Sequence, residues 1–341
     1  RRIALRGFLH QGVYPRHIVF PDSADDARRE LLLLKKSGMN FMRAHLKPTP
    51  VLLDLADELG LLVHAEPPIG WIENTPETLP RCLREVEGMV LSQRNHPSIV
   101  MWGLLNEASH YRTFTPEQVE AFKNALSEHC RKLDPTRMVI DNSGGDIGGR
   151  GADSTVGVHL PFSADPSRLH DLHSYCAIPL PISAVENYRA LGGGAKVEPD
   201  GVHLASECRP ELPRLATPAE QPAVTVPPAV YVSEFGAFEN PPDFPRVLAR
   251  YSPQDRRLGL EDYVQHRNYF ESLKAQFKRA RLAEIFGTLD RYIRASQDLH
   301  RENIRVIISA LRANPRSSGW AFTQLADASG EMFGALDLWR Q

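Results

Sequence analysis

Ile99-Val100-Met101-Trp102-Gly103-Leu104-Leu105-Asn106-Glu107 is an unbroken apolar run that ends on a carboxylate. A run of this kind reads as a strand buried on both faces, the signature of a parallel sheet covered by helices. A carboxylate costs too much to bury unpaired, so Glu107, placed where the strand emerges, is expected at a site rather than in a core. The arrangement recurs far along the chain in Ala229-Val230-Tyr231-Val232-Ser233-Glu234-Phe235-Gly236. Two such acids on distant strands point to a carboxylate pair doing acid/base and nucleophilic work on a sugar.

Outward from these two runs, strand-like and helical segments alternate. Strands are expected over Ile3–Leu9, Asn40–Ala44, Leu61–Ala65, Ile99–Leu105, Arg137–Asp141, Leu169–His173, Ala229–Ser233 and Gly319–Thr323. Helices are expected over Ala24–Ser37, Pro50–Leu59 and Leu79–Arg94, with a long helical stretch from Leu260 to about Arg312. Gly60 stands where a helix C-cap should. Thr115-Pro116-Glu117-Gln118 supplies an N-cap, a proline at the first helical position and an acid in the first turn. Val119, Phe122, Leu126, Cys130 and Leu133 then keep helical spacing. Eight such units predict an α/β fold, a (β/α)8 TIM barrel. A doubly wound sheet is the alternative, but it wants a glycine-rich phosphate loop after the first strand, and Gly7-Phe8-Leu9-His10 is not one.

The barrel is expected to occupy residues 1–341 as one unit, with loop insertions at about 176–228 and 240–254. The 27 prolines among 341 residues exceed the ~5% background, and the excess lies largely in those two stretches. Both follow strands, so both are expected to overhang the C-terminal face, where barrels bind substrate. The chain opens on Arg1 rather than Met and stops soon after Trp339 without an eighth helix, so a fragment truncated at the C-terminal helix is expected.

With a net charge of -2 and both signs interspersed, no nucleic-acid or acidic-membrane partner is expected. No apolar run approaches the ~18 residues that a membrane span needs. Cys82, Cys130, Cys176 and Cys208 are scattered with no C-x-x-C pair, which argues against a zinc site or a disulfide framework.

Asn95-His96-Pro97-Ser98-Ile99-Val100, leading through Trp102 to Asn106-Glu107, resembles the acid/base segment of glycoside hydrolase family 2, the family of β-galactosidases, β-glucuronidases and β-mannosidases. Further segments agree in order. Arg6-Gly7-Phe8-Leu9-His10-Gln11-Gly12-Val13-Tyr14-Pro15 resembles the family's entry into the barrel, and Gly38-Met39-Asn40-Phe41-Met42-Arg43-Ala44-His45 its second strand. Asp57-Glu58-Leu59-Gly60-Leu61-Leu62-Val63 resembles the third, Ser233-Glu234-Phe235-Gly236 the nucleophile segment, and Gly319-Trp320-Ala321-Phe322-Thr323-Gln324-Leu325 the eighth strand.

The resemblance implies that Glu107 is the general acid/base and Glu234 the nucleophile of a retaining, exo-acting β-glycosidase. It implies that Arg43 lies beside the nucleophile, where a cation would keep Glu234 ionised. Asn106 is then a candidate for the sugar 2-hydroxyl, and His173 and Tyr175 match a His-x-Tyr stretch in which Tyr175 donates to Glu234. Trp320 and Phe322 share a face of their strand by alternation. Phe322 stands where many family members carry the tryptophan that floors the sugar site. Trp102 is expected to fill core, and His45 and His110 are rim candidates.

Magnesium-dependent β-galactosidases of the family carry an acid and a histidine soon after the third strand, where this chain has Gly70 and Ile72. No magnesium site and no cofactor are expected. The partners implied are a carbohydrate substrate and, in the parent protein, β-sandwich domains upstream. Two other readings stay open: a carbohydrate-binding barrel without catalysis, and an endo-acting glycanase of a related barrel family. The latter usually reads Asn-Glu-Pro, where this chain has Asn106-Glu107-Ala108.

Overall fold

The protein is described by a computed structural model covering residues 3–108, 111–144, 155–161, 167–176, 180–191, 229–237, 241–328 and 330–341. The strands are β1 (Leu5–His10), β2 (Phe41–Ala44), β3 (Leu62–Ala65), β4 (Ile99–Asn106), β5 (Met138–Ser143), β6 (Thr155–His159), β7 (Ser167–Cys176), β8 (Ala229–Ala237) and β9 (Ser317–Phe322). They pair in chain order and close, β9 returning to β1 in parallel register with Leu5 beside Gly319 and Phe8 beside Phe322.

All of the expected strands are present to within a few residues. The addition is β6, which pairs antiparallel to both β5 and β7. The reading of eight parallel units thus gains a ninth strand of opposite sense. Thr155–His159 is too short, and too far from a helical pattern, to announce itself as a unit in the sequence.

Helices sheathe the sheet. The first four are α1 (Ala24–Lys36), α2 (Pro50–Leu59), α3 (Thr78–Gln93) and α4 (Pro116–Leu133). Ser23 caps α1 by accepting from the Asp26 N–H, with acids in the first turn and lysines in the last, the order that the helix dipole favours. Ala27, Leu31 and Leu34 form its buried stripe. Gly60 ends α2 in left-handed geometry at φ 66°. Thr115 and Gln118 close a capping box on α4. The later helices are α5 (Ile182–Ala190), α6 (Phe244–Ala249), α7 (Pro253–Leu258), α8 (Glu261–Arg279), α9 (Ala283–Phe286) and α10 (Leu289–Ala313).

The two stretches read as loop insertions contain short helices among their described residues. The first contains α5, which is tied to the end of α10 where Asn314 Nδ2 donates to the Tyr188 and Leu191 carbonyls, at 3.0 Å each. The second contains α6 and the start of α7. Short helices rich in proline at their first turns look like loops in composition. Residues 192–228 lie outside the described residues.

The core has two layers. The outer one lies between strands and helices and includes Leu31, Leu53, Val86, Trp102 and Leu126. Trp102 fills this layer as expected, its indole N–H donating to Asp134 at 3.0 Å. The inner layer, inside the barrel, is Phe41, Met101, Ile140, Val158, Tyr231 and Ala321. Cys82 and Cys130 are free and buried. No helix among the described residues is long and apolar enough to cross a membrane.

Candidate active site

Alternation on β2 puts Phe41 in the inner apolar layer and Arg43 one layer closer to the C-terminal end. Arg43 is fully buried, 0% exposed, and a buried guanidinium requires partners on every edge. Its Nε donates to Glu66 Oε1 at 2.8 Å, its Nη1 to Glu234 Oε1 at 2.6 Å, and its Nη2 to Asn106 Oδ1 at 2.6 Å. One side chain thereby binds the ends of β2, β3, β4 and β8. Glu66, just past β3, also meets His45 Nδ1 at 2.8 Å. Burial alone would raise the Glu66 carboxyl, but Arg43 and His45 outweigh it and hold Glu66 well below the usual carboxylate range. Arg43 is pushed higher by Glu66 and Glu234 against the opposing pull of burial.

Glu234 reaches the interior through an irregularity of β8. Against β7, Asp171 pairs with Tyr231 and His173 with Glu234; against β9, Trp320 pairs with Val232 and Phe322 with Phe235. Between Tyr231 and Phe235, β8 therefore carries one residue more than either neighbour, a β-bulge. Without it, strict alternation would put Glu234 on the face of Val232, which packs in the outer core. Ser233 anchors the extra residue by donating its hydroxyl to Asp171 on β7. The Tyr175 hydroxyl donates to Glu234 Oε2, so each oxygen of Glu234 has its own donor.

Glu107 is held by a turn. Its backbone is left-handed at φ 48°, a conformation that costs a non-glycine residue energy and recurs at functional sites. β5 secures it: Glu107 N–H donates to the Ser143 carbonyl at 2.8 Å, and Ala108 N–H to Asn142 Oδ1 at 3.1 Å. Its carboxylate meets His173 Nδ1 at 2.8 Å. His173 also lies 3.5 Å from Glu234 Oε2, so it stands between the two acids. Burial would lower the His173 imidazole, but Glu234 and Glu107 raise it above its ordinary value. Gly144 makes room for the ring: its φ is +80°, and a Cβ there would lie 2.5 Å from His173 Nδ1.

The structure thus brings together Glu107, Glu234, Arg43, Asn106, His173 and Tyr175. Trp320 and Phe322 are not part of that group. Each is 3% exposed in the outer core, Trp320 against Phe235 at 5.9 Å and Phe322 between Phe8 and His300. Alternation correctly gave them one face of β9, but it is the face toward the helices; Ala321 faces the barrel interior. His45 stands at the rim on Glu66, and His110 lies outside the described residues.

Glu66 was missed by sequence reasoning, although it carries the same signature as the other two glutamates, an acid directly after a short apolar strand. Glu331, in the segment after β9, was missed as well. It accepts from Gln11 Nε2 at 2.8 Å, a contact across the whole chain that no local pattern reports.

Glu107, His173 and Glu234 each offer a ligand atom within 4.8 Å of the others, a spacing that could hold a divalent ion. The Arg43 guanidinium on Glu234 already supplies positive charge there and opposes a second cation.

Residues 21–158 match the family model described as "Glycosyl hydrolases family 2, TIM barrel domain". A β-galactosidase of Lactococcus lactis subsp. lactis (strain IL1403) is 30% identical over 145 residues, 40% of this chain and 14% of that protein. A putative β-glucuronidase of Formosa agariphila is 35% identical over 124 residues, 34% of this chain and 11% of that protein. The chain therefore spans only a small part of these relatives. A solved β-glucuronidase of Bacteroides uniformis shares the fold over 100% of this chain and 34% of its own, with TM-score 0.62 at 18% identity.

Proposed function

We propose, since residues 21–158 belong to the TIM barrel domain of glycosyl hydrolases family 2, that this chain carries the catalytic barrel of a retaining, exo-acting β-glycosidase. Its substrate is a terminal β-linked sugar, as the names of the β-galactosidase and β-glucuronidase relatives suggest. The reading takes residues 1–341 as one (β/α)8 barrel, with β6 as an insertion. It includes β-sandwich domains upstream in the parent protein.

The observation that carries the proposal is the carboxylate spacing. An oxygen of Glu107 and an oxygen of Glu234 lie within 4.8 Å. Retaining enzymes hold their carboxyls about 5–5.5 Å apart, whereas inverting ones leave about 6.5–9.5 Å for a water. The asymmetry of the surroundings supports the division of roles. Glu234 accepts from the Arg43 guanidinium on one oxygen and the Tyr175 hydroxyl on the other, an arrangement that suits a nucleophile held in place. Glu107 is set on a partly open turn beside a histidine, where a proton can be exchanged.

In the first step Glu234 attacks the anomeric carbon as Glu107 gives its proton to the departing glycosidic oxygen. In the second, Glu107 takes a proton from water, which attacks the anomeric carbon and releases Glu234. Asn106 has its carbonyl engaged by Arg43. That leaves its amide N–H to meet the sugar 2-hydroxyl, a contact that strengthens in the transition state.

Azide tests the assignment with aryl β-glycosides. Glu234→Ala should abolish turnover and be rescued by azide with inversion. Glu107→Ala should spare activated aryl substrates in the first step and yield a glycosyl azide of retained configuration. Exchanged stereochemistry would exchange the roles, and two fully active variants would sink the mechanism.

A further inference from the structure

Two residues before His173 on β7 stands a buried acid that the double displacement does not use. Asp171 is 0% exposed and pairs with Tyr231 of the inner apolar layer. Burial raises its carboxyl, and His173, the Ser233 hydroxyl and Arg43 oppose that rise. A carboxyl in such a place costs stability unless its bonds offset the loss of water.

The bond it makes is to the irregular point of β8. Val232 and Ser233 there stand opposite the single Leu172 of β7. Tyr231 faces the barrel interior and Val232 the helices. Ser233 and Glu234 then both turn inward, although they are consecutive, to Asp171 and to Arg43. A bulge leaves its extra residue outside the ladder, so that residue depends on other anchors. The Ser233 hydroxyl donates to Asp171 Oδ1, and the Ser233 carbonyl accepts from Arg43 Nη1 at 3.3 Å. The same Nη1 donates to Glu234 Oε1 at 2.6 Å. Asp171 thus grips from β7 the residue whose placement decides which way Glu234 points.

We propose that Asp171 is a positioning residue: through its hydrogen bond to Ser233 it keeps the β8 bulge formed, and the bulge keeps Glu234 turned inward onto Arg43. Without that bond β8 relaxes toward regular pairing, in which Glu234 leaves the interior. The inference rests on the β-glycosidase reading above for its rate measurements, and on the placement of Glu234 alone for its structural one.

The test uses the full-length protein and an aryl β-glycoside, with and without azide. Asp171→Ala should lower kcat by at least about tenfold, the weight of one hydrogen bond to a charged group. Azide should restore part of that loss. It bonds to the anomeric carbon on the face that Glu234 has left, the aryl oxygen departs with the bonding pair, and the glycosyl azide has inverted configuration. Asp171→Asn keeps an acceptor for the Ser233 hydroxyl, so it should recover most of kcat and form no azide product. A variant that is merely less stable leaves Glu234 over that face, and azide then restores nothing. Wild-type kcat in Asp171→Ala, a loss that azide does not restore, or an Asn variant as impaired as the Ala one overturns the proposal. If Asp171→Ala does not fold, Ser233→Ala removes the same bond from its other end and is judged by the same azide criterion. A crystal structure of the impaired variant reads the placement without turnover. If the wild type hydrolyses no aryl glycoside but Glu234 leaves Arg43 in the variant, the positioning role stands while the glycosidase reading falls. Glu234 unmoved on Arg43 overturns the proposal whatever the turnover.

Discussion

The two glutamates of the site are held in opposite ways. Glu234 sits within a strand, 5% exposed, with a guanidinium on one oxygen and a phenol on the other. Glu107 sits on a turn beyond its strand, more open, in left-handed backbone geometry with a histidine as its carboxylate's neighbour. The first environment closes around its carboxylate with donors, and the second leaves its carboxylate accessible. The same residue type is given two surroundings, and unlike surroundings are the general route by which paired carboxylates come to divide acid/base and nucleophilic work.

Removing the support on the Glu234 side should have the largest effect. Arg43→Met leaves Glu66 and Glu234 buried without their cation, a loss of about 3–5 kcal/mol in stability. Urea unfolding should show this, and turnover of an aryl glycoside should be lost with it. A loss below ~1 kcal/mol would mean that Arg43 does not organise the site.

On the Glu107 side, Gly144→Ala meets both a left-handed backbone at φ +80° and the His173 ring at 2.5 Å. Strain of this kind costs about 1–3 kcal/mol, and thermal unfolding should report it. The fall in kcat should exceed the fall in binding of a neutral imino-sugar, because His173 is displaced and not the sugar-facing groups. A variant with unchanged kcat would separate His173 from the function of Glu107.

Tyr175→Phe sharpens the contrast further, since it removes one donor from Glu234 and leaves Glu107 untouched. A hydrogen bond to a charged group contributes about 1.5–3 kcal/mol, so kcat/KM should drop roughly ten- to a hundredfold. An unchanged rate would make Tyr175 a packing residue against Phe333.

The smallest effect is in pH dependence, and it differs in sign between the two sides. His173 is raised by Glu234 and Glu107 against burial, so its contribution is full below its unfolded value of about 6.5 and is lost as pH rises through the folded value. Glu66 is lowered by Arg43 and His45 against burial, so its contribution is present above about 4.3 and is lost only as pH falls through its depressed value. His173→Asn should therefore flatten the alkaline side of the stability profile and leave the acid side alone. If the variant and the wild type lost stability in parallel above neutrality, His173 would not be the group responsible.

Most of the barrel was legible because burial on both faces writes itself into the chain as apolar runs, and Ile99–Leu105 and Ala229–Ser233 are such runs. The helices with clear caps, at Ser23 and Thr115, were equally plain. The antiparallel β6 was not, because five residues of pairing carry no period of their own. Helix α5 hid inside a stretch whose overall composition is that of a loop. At the site, Glu107 and Glu234 close apolar runs and Arg43 follows the apolar pair Phe41-Met42, so the three could be read in order. Trp320 and Phe322 could not be placed, because alternation says which residues share a face and not which face looks inward. Glu331 depends on Gln11, about as far away in sequence as this chain allows.

The extra residue of β8 makes the chemistry depend on a count as well as on composition. Deleting one residue between Tyr231 and Glu234 would set the two in step with Asp171 and His173 on β7 and keep both facing inward. Pairing the undeleted strand without the bulge has the opposite result, turning Glu234 outward among Val232, Trp320 and Phe322 while Arg43 keeps its place. A design procedure that imposed regular pairing on this sequence without removing a residue would therefore return a well-formed barrel with Glu234 on the wrong side of the wall.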